Sequence, residues 1–444
     1  MTIPAVLRQP AAHRRTFALA VPMILSNITI PLLGLVDTAV IGHLSDAYYL
    51  GGVAVGAMII TFLFWILGFL RMATTGLVAQ GHGRGDPLAQ LQVLFQGAVI
   101  ALTLAATVLI LRQPILEIAL GVLGGSDEVQ HYASIYFQHR IWSAPAALVN
   151  LVALGYLLGR QLPRAAMWQL ILANVLNIVL DIWFVLGLEW GVAGAARASV
   201  IADYGALLLA VWFIHRQLPA ALKTPSTWRA LTMRGCGALI GLNRDIFIRT
   251  LCLQLCMVFV TAQGARMGDE IVAANSVLMN FTLLIAYALD GFAYSAEAEV
   301  GRALGAQDKP GLLDAVWLGW FWSALTAGLF CLIFALLGSF IIQLLTDIPE
   351  VRATAQRYLP WIALYPLLAF TCFLFDGVYI GAAKGAAMRN AMMVSALCFF
   401  ALWTLVQGWG NHGLWLAFNG FMLSRGLVLG GHFLWQWRHD RWIP

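Results

Sequence analysis

Residues 22–44 read PMILSNITIPLLGLVDTAVIGHL, an apolar run broken by one acidic residue, Asp37. The run is long enough to cross a bilayer, which takes roughly 20 predominantly apolar residues. A carboxylate inside such a span is costly, so its presence points to function. Pro22 and Pro31 lie in the same stretch, and each removes a backbone donor and crowds the carbonyl four residues back. The sequence therefore predicts a charged membrane helix that is also primed to bend.

The rest of the chain is of the same kind. Of its 444 residues 61% are hydrophobic and 11% charged, with a mean hydropathy of +0.81, whereas a soluble globular domain is about 25% charged. This composition specifies an all-α polytopic membrane protein embedded in a lipid bilayer. Apolar runs separated by Gly, Pro and charge clusters predict twelve transmembrane helices, near 17–42, 51–80, 90–111, 131–158, 168–187, 192–214, 238–265, 271–301, 312–343, 356–382, 391–408 and 412–436. Between Arg112 and Gln130 the piece PILEIALGVLGG is too brief to cross and predicts an interfacial helix. Arg8, Arg14 and Arg15 precede a first span without a small-residue cleavage pattern, so that span is expected to stay uncleaved.

The basic residues test the count of spans. With the N-terminus inside, Arg84, Arg160, Arg164, Arg216, Lys223, Arg229, Arg234, Arg302, Lys309, Lys384, Arg389, Arg438 and Arg441 fall on the cytoplasmic side. The outer connections hold only Arg112, Arg266, Arg352 and Arg357. This is the positive-inside bias, and it places both termini in the cytoplasm. The net charge of +5 is thus a topology signal, and no nucleic-acid partner is expected. The longest polar connection, residues 215–235, is the natural linker between an N-lobe of six spans (1–220) and a C-lobe of six (221–444). Six cysteines, all in the second half, form neither a disulfide framework nor a metal-type spacing.

The halves repeat. A shift of 222 residues puts Gly42 on Gly264, Val55 on Val277, Gly83 on Gly305, Asp86 on Asp308, Tyr136 on Tyr358, Gly155 on Gly377 and Gly159 on Gly381. Each half has an even number of spans, so both enter from the same side as parallel repeats, with substrate handled between them.

Inside the first-half spans lie Asp37, Asn150, Asn174, Asn177, Asp181 and Asp203. Asn174, Asn177 and Asp181 are spaced by three and four, so they share one face of the fifth span. If spans one and five run the same way, Asp37 and Asp181 sit at matched depth. Two carboxylates at one level, with an amide one turn away, can share a proton, because desolvation and a like-charged neighbour both favour the neutral form. Buried amides also act as plain helix glue, but charge is a poor adhesive in hydrocarbon. Asp37, Asn177 and Asp181 are accordingly the candidate coupling residues, and Tyr136, Asn150, Asn174 and Asp203 the candidate cavity lining. The second half is no copy: the shift puts Phe259 on Asp37, and its charges lie at Asp290, Glu297, Glu299 and Asp376, with Arg244, Asp245 and Arg249 near the inner end of span seven. Ion pairing and substrate binding are both open for these.

No phosphate-cradling G-x-x-x-x-G-K-[ST] loop is present, and neither H-E-x-x-H nor G-x-S-x-G occurs. ATP coupling and enzymatic chemistry are therefore not expected, nor is a bound metal.

The stretch at 22–44, followed by YLGGVAVGAM, LNIVLD, GLNRDIFIR and YALDGFAYSAEA, resembles the multidrug and toxic compound extrusion (MATE) family, specifically its bacterial DinF subfamily. The resemblance implies twelve helices in two six-helix lobes forming a V in the bacterial inner membrane, and alternating access. It also implies export of chemically varied, often cationic and aromatic compounds against an inward cation. It matches Asp37 to the family's first-helix carboxylate and Asn177 and Asp181 to its fifth-helix pair, with Asn150 and Pro22 matching a fourth-helix polar position and a bend proline. A proton gradient is the expected energy source, with no cofactor; sodium bound by the N-lobe carboxylates remains open. Under this reading Asp37 is the proton-sensitive switch, the first helix yields between Pro22 and Pro31, and a monomer suffices. The competing readings are a flippase for a lipid or lipid-linked precursor, which calls for several basic groups along the cavity, and a membrane transferase, which calls for a clustered His, Asp or Cys site.

Overall fold

The computed structural model describes residues 5–42, 47–124 and 126–443. Among them the regular structure is helical: α1 (Pro10–Gly42), α2 (Ala47–Ile66), α3 (Phe69–Gly83), α4 (Pro87–Ile110), α5 (Arg112–Leu123), α6 (Asp127–Arg140), α7 (Ala144–Gly159), α8 (Pro163–Asp181), α9 (Gly191–Gln217), α10 (Pro225–Ala230), α11 (Gly237–Arg266), α12 (Asp269–Gly305), α13 (Lys309–Leu345), α14 (Pro349–Gly381), α15 (Gly385–Val406) and α16 (Asn411–Arg438). With α2 and α3 taken as one crossing and α6 and α7 as another, long helical segments stand at all twelve expected places. Ten of them, among the described residues, are long and apolar enough to cross a membrane. The piece expected at the interface is α5, twelve residues long.

Two crossings are broken where the sequence gives a reason. The second, expected as one run, turns at Gly68, where Arg71 N bonds to Gly68 O at 3.1 Å in a tightened turn; glycine is a usual cause of such kinks. The fourth passes through a short 3-10 turn at Ile141–Ser143. Pro145, at the start of α7, has no N–H to give the carbonyl of Ile141.

Two compact units divide the chain: Leu25–Ile240, and the chain through Ile24 together with Gly241–Pro444. The helix α1 runs unbroken through Pro22 and Pro31, and the division falls inside it, two residues after Pro22. Its first part packs on α12 in the second unit, where Gly291 makes room for Ile24: a Cβ on Gly291 would come within 2.2 Å of Ile24 Cγ1. The linker belongs to the first unit, where Gln96 Nε2 donates to the carbonyls of Thr232 (3.1 Å) and Arg234 (3.0 Å).

Within each unit the same small-residue contact recurs. A Cβ on Gly155 would lie 2.5 Å from Arg71 O, and one on Gly159 2.8 Å from Thr75 O. Likewise Gly377 meets Ala293 O at 2.3 Å and Gly381 meets Glu297 O at 2.3 Å. Every one of these eight positions is related to its counterpart by 222. Glycines at the crossing let two membrane helices approach backbone to backbone. The loops repeat as well: Asp86 caps α4 through Ala89 N and Asp308 caps α13 through Gly311 N, both at 2.9 Å. Gly85 and Gln307, and Gln161 and Ala383, all take positive φ. The two halves are therefore structural repeats in register through the start of α8 and α15.

Candidate functional site

The candidate site lies in the unit Leu25–Ile240. Its scaffold is α8, whose Asn174, Asn177 and Asp181 share a face as the spacing requires. Asn177 and Asp181 are 5% and 2% exposed. The surrounding network fixes the Asn177 amide: its nitrogen donates to Asp181 Oδ2 at 2.6 Å, and its oxygen accepts from Ser199 N at 3.2 Å and Ser199 Oγ at 2.6 Å. Immediately after Asp181 the helix widens into a π turn, Ile182–Gly187, a distortion found frequently at functional sites.

One turn before Asn177, Asn174 Nδ2 donates to Thr29 Oγ1 of α1 at 2.5 Å. Thr29 Oγ1 in turn donates to Ser26 O at 2.6 Å, just ahead of Pro31. A Thr back-bonded in this way tends to bend its helix. Further along, Val40 and Ile41 of α1 border the same narrow void as Asp181, Ser199 and Tyr136. The helix α1 thus follows the polar face of α8.

A cavity of about 260 Å³ opens between these helices, and its lining includes Tyr136, Arg140, Asn174, Asn177 and Asp203. Gly52 and Gly56 of α2 bring α6 close enough to seat Tyr136 there: a Cβ on Gly56 would lie 2.9 Å from the Tyr136 ring. Asp203 lines this cavity already paired, since Arg140 Nη1 donates to its Oδ2 at 2.7 Å. Asn150 supports the backbone at that point by donating to Asp203 O at 2.8 Å, and Gln169 Nε2 donates to Asn150 Oδ1 at 3.0 Å. The structure therefore brings together Tyr136, Asn174, Asn177, Asp181 and Asp203, with Asn150 behind Asp203. Sequence reasoning missed Arg140, Thr29, Ser199 and Gln169. Arg140 carried a legible signal, a cation inside a long helical run, of the same kind as that used for the acids.

The side chain of Asp37 lies outside the described residues. Its place in the repeat is informative: positions 37, 177 and 181 correspond to Phe259, Phe399 and Trp403. Those three rings form a cluster, with Phe259 edge-on to Phe399 at 5.7 Å and to Trp403 at 6.0 Å between centroids.

In the other unit Asp245, Glu299 and Asp376 form ion pairs. Asp376 accepts from Arg425 Nη2 at 2.7 Å and also from Arg249, and all three residues are buried. Asp245 takes Arg389 at 2.7 Å and Arg244 at 3.2 Å, and Glu299 takes Arg15 at 2.6 Å and Arg302 at 3.2 Å. Arg425, like Arg140, escaped the sequence reading. No group of three or more His, Cys, Asp or Glu positioned for a metal ion occurs among the described residues.

This two-unit helical fold with a buried amide–carboxylate pair is that of a membrane transporter. The MatE family profile matches residues 22–183 and 246–404, one copy in each half, and the chain belongs to that family. It is a multi-pass membrane protein that handles small molecules, and not an enzyme. Among its relatives, DNA damage-inducible protein F of Escherichia coli (strain K12) is 47% identical over 440 residues, covering 98% of this chain and 94% of that protein. The multidrug resistance protein NorM of Vibrio cholerae is 25% identical over 436 residues, 94% of each chain. The fold matches the crystal structure of MATE in the bent conformation (TM-score 0.85, 19% identity, 98% of this chain and 97% of that one). It also matches an outward-facing multidrug resistance MATE family transporter of the MOP superfamily (TM-score 0.84, 19% identity, 100% and 99%).

Proposed function

We propose that this chain is a proton-coupled exporter of small cationic and aromatic compounds, with coupling resident in the half that contains Asp37, Asn177 and Asp181. One observation carries the reading. Asp181 is a buried carboxylate held by an amide, whereas Asp376 in the other half is already neutralised by two guanidinium groups. A carboxylate held by a neutral amide is placed to exchange a proton with a substrate or carrier site, whereas one that accepts from two arginines is occupied as an ion-pair partner. That Phe259 touches both Phe399 and Trp403 supports setting Asp37 against Asn177 and Asp181 at the equivalent level.

In this account a cationic substrate is drawn to the ionised pair and leaves when the pair takes up a proton. Protonation favours one of two conformers through its different contacts in each, and α1 yields between Pro22 and Pro31, where Thr29 ties it to Asn174. Two further proposals complete the picture: a location in the bacterial inner membrane with both termini cytoplasmic, and a working monomer. The relatives' names as multidrug resistance proteins favour a broad substrate range.

The test is efflux from vesicles containing the purified chain. A pH gradient alone should drive ethidium transport, an imposed sodium gradient should add nothing, and Asp37→Asn should remove the pH-driven component. Efflux driven by sodium at constant pH would instead assign the carboxylates to sodium, and no gradient-driven efflux at all would favour a flippase.

A further inference from the structure

A second and larger cavity, about 730 Å³, lies elsewhere in the unit Leu25–Ile240, and its lining includes Arg112, Gln138, His139, Trp142, Trp190 and Arg197. None of these belongs to the coupling site. The volume is that of a small-molecule pocket, but such pockets are mostly apolar, and this one gathers two arginines, two tryptophans and a histidine. Trp142 and Trp190 remain 53% and 44% exposed. Arg112 lies over the Trp142 ring at 5.6 Å and Arg197 over the Trp190 ring at 5.3 Å. Arg197 Nη2 also stands 3.2 Å from His139 Nε2.

Neither Arg112 nor Arg197 has a carboxylate within ion-pair distance among the described residues. This sets them apart from Arg140, the residue after the cavity-lining His139, which is committed to Asp203. Glu117 is held by Gln113 Nε2 at 2.9 Å and does not line the cavity. Two cations from separate helices therefore line one cavity without a carboxylate counter-ion among the described residues. Arg197 is six residues into α9, about 9 Å from its start, and its guanidinium reaches back over Trp190, the residue just before that start; tryptophan is enriched where membrane helices meet the lipid headgroups. Scattered interfacial anchors would ring the protein; here they close around one concavity.

We propose that this cavity binds the phosphate of an anionic membrane lipid. Arg112 and Arg197 take the phosphate oxygens, in the bidentate manner guanidinium groups favour, while Trp142 and Trp190, over whose rings the two arginines lie, flank the headgroup. The shared chemistry with free phosphate makes the source a matter for experiment.

The purified full chain in detergent would be titrated with phosphatidylglycerol and, separately, phosphatidylcholine, and retained lipid counted by native mass spectrometry. The wild-type chain should retain phosphatidylglycerol at roughly tenfold lower concentration, the equivalent of ~1.4 kcal/mol. Arg112→Gln with Arg197→Gln should erase that preference. Arg216→Gln, which removes an arginine lying 5.0 Å over Trp212 and outside the cavity, should keep it. Arg197→Lys, which preserves charge and packing, should keep part of it and guards against a variant that fails to fold. Adding inorganic phosphate separates the sources: displacement of the lipid assigns the site to the phosphate group alone, and retention assigns it to the lipid as a whole, both in support. Equal retention of the two lipids by the wild-type chain, or an unchanged preference in the double variant, would overturn the proposal.

Discussion

Phe259 meets Trp403 edge to face, with 6.0 Å between ring centroids. Their counterparts in the repeat, 222 residues earlier, are Asp37 and Asp181. One half of the molecule fills this level with aromatic packing, and at the matching positions of the other the sequence carries ionisable residues. If the aromatic half serves only as structure, Phe259→Ala should destabilise, by less than the about 3–5 kcal/mol lost when a fully buried aromatic is truncated, because Phe259 is partly buried. It should leave the ratio of pH-driven to passive efflux unchanged. Melting temperature and vesicle efflux on the same preparation check both parts.

Asp376 accepts from two buried arginines, so its removal is expected to act on stability before transport. Asp376→Asn leaves both guanidinium groups without this carboxylate, and breaking a buried pair in this way costs about 3–5 kcal/mol. Thermal unfolding should show the drop. Whatever folded protein remains should export substrate with no new sodium dependence.

The pair Arg140–Asp203, at 2.7 Å, borders the candidate cavity without sharing in the proton chemistry proposed for Asp181. Asp203→Asn should destabilise by about 3 kcal/mol, and adding Arg140→Gln should restore part of that, because the uncompensated charge is then gone. A double-mutant cycle on melting temperature measures the coupling. Full additivity of the two losses would show that the pair contributes nothing as a pair.

The small-residue crossings make a sharper structural prediction. Gly377→Ala would set a Cβ 2.3 Å from Ala293 O, backbone against methyl with nothing flexible to move. A loss of roughly 1–3 kcal/mol or more follows, visible as poor yield and early aggregation on heating. Gly328→Ala, in α13 with nothing within 4 Å of the added methyl, should be neutral or stabilising by about 0.5–1 kcal/mol.

Much of this architecture was legible in the sequence because membrane helices obey one dominant rule: the backbone must satisfy itself, so long apolar runs become helices. The twelve segments and the short α5 follow from that, and the repeat from seven matched residues. The face of α8 carrying Asn174, Asn177 and Asp181 followed from helical spacing. What spacing did not reveal was pairing across helices. Nothing in sequence ties Arg140 to Asp203, Thr29 to Asn174 or Arg425 to Asp376, at separations of 63, 145 and 49 residues. The breaks at Gly68 and before Pro145 were readable from residue type but lay hidden inside continuous apolar runs. The position of the division within α1, between Pro22 and Pro31, depends on which helices pack on which part of it, and local sequence carries no record of that.

The central claim is that substrate and proton compete for the Asp37–Asn177–Asp181 cluster, and linkage requires that each displace the other. The most direct measurement is proton release when ethidium binds the purified chain in weakly buffered detergent solution at neutral pH. The account predicts release of about one proton per substrate bound, and none from Asp181→Asn or Asp37→Asn even where ethidium still binds. The same release from wild type and both variants, or ethidium binding with no release at all, would contradict it.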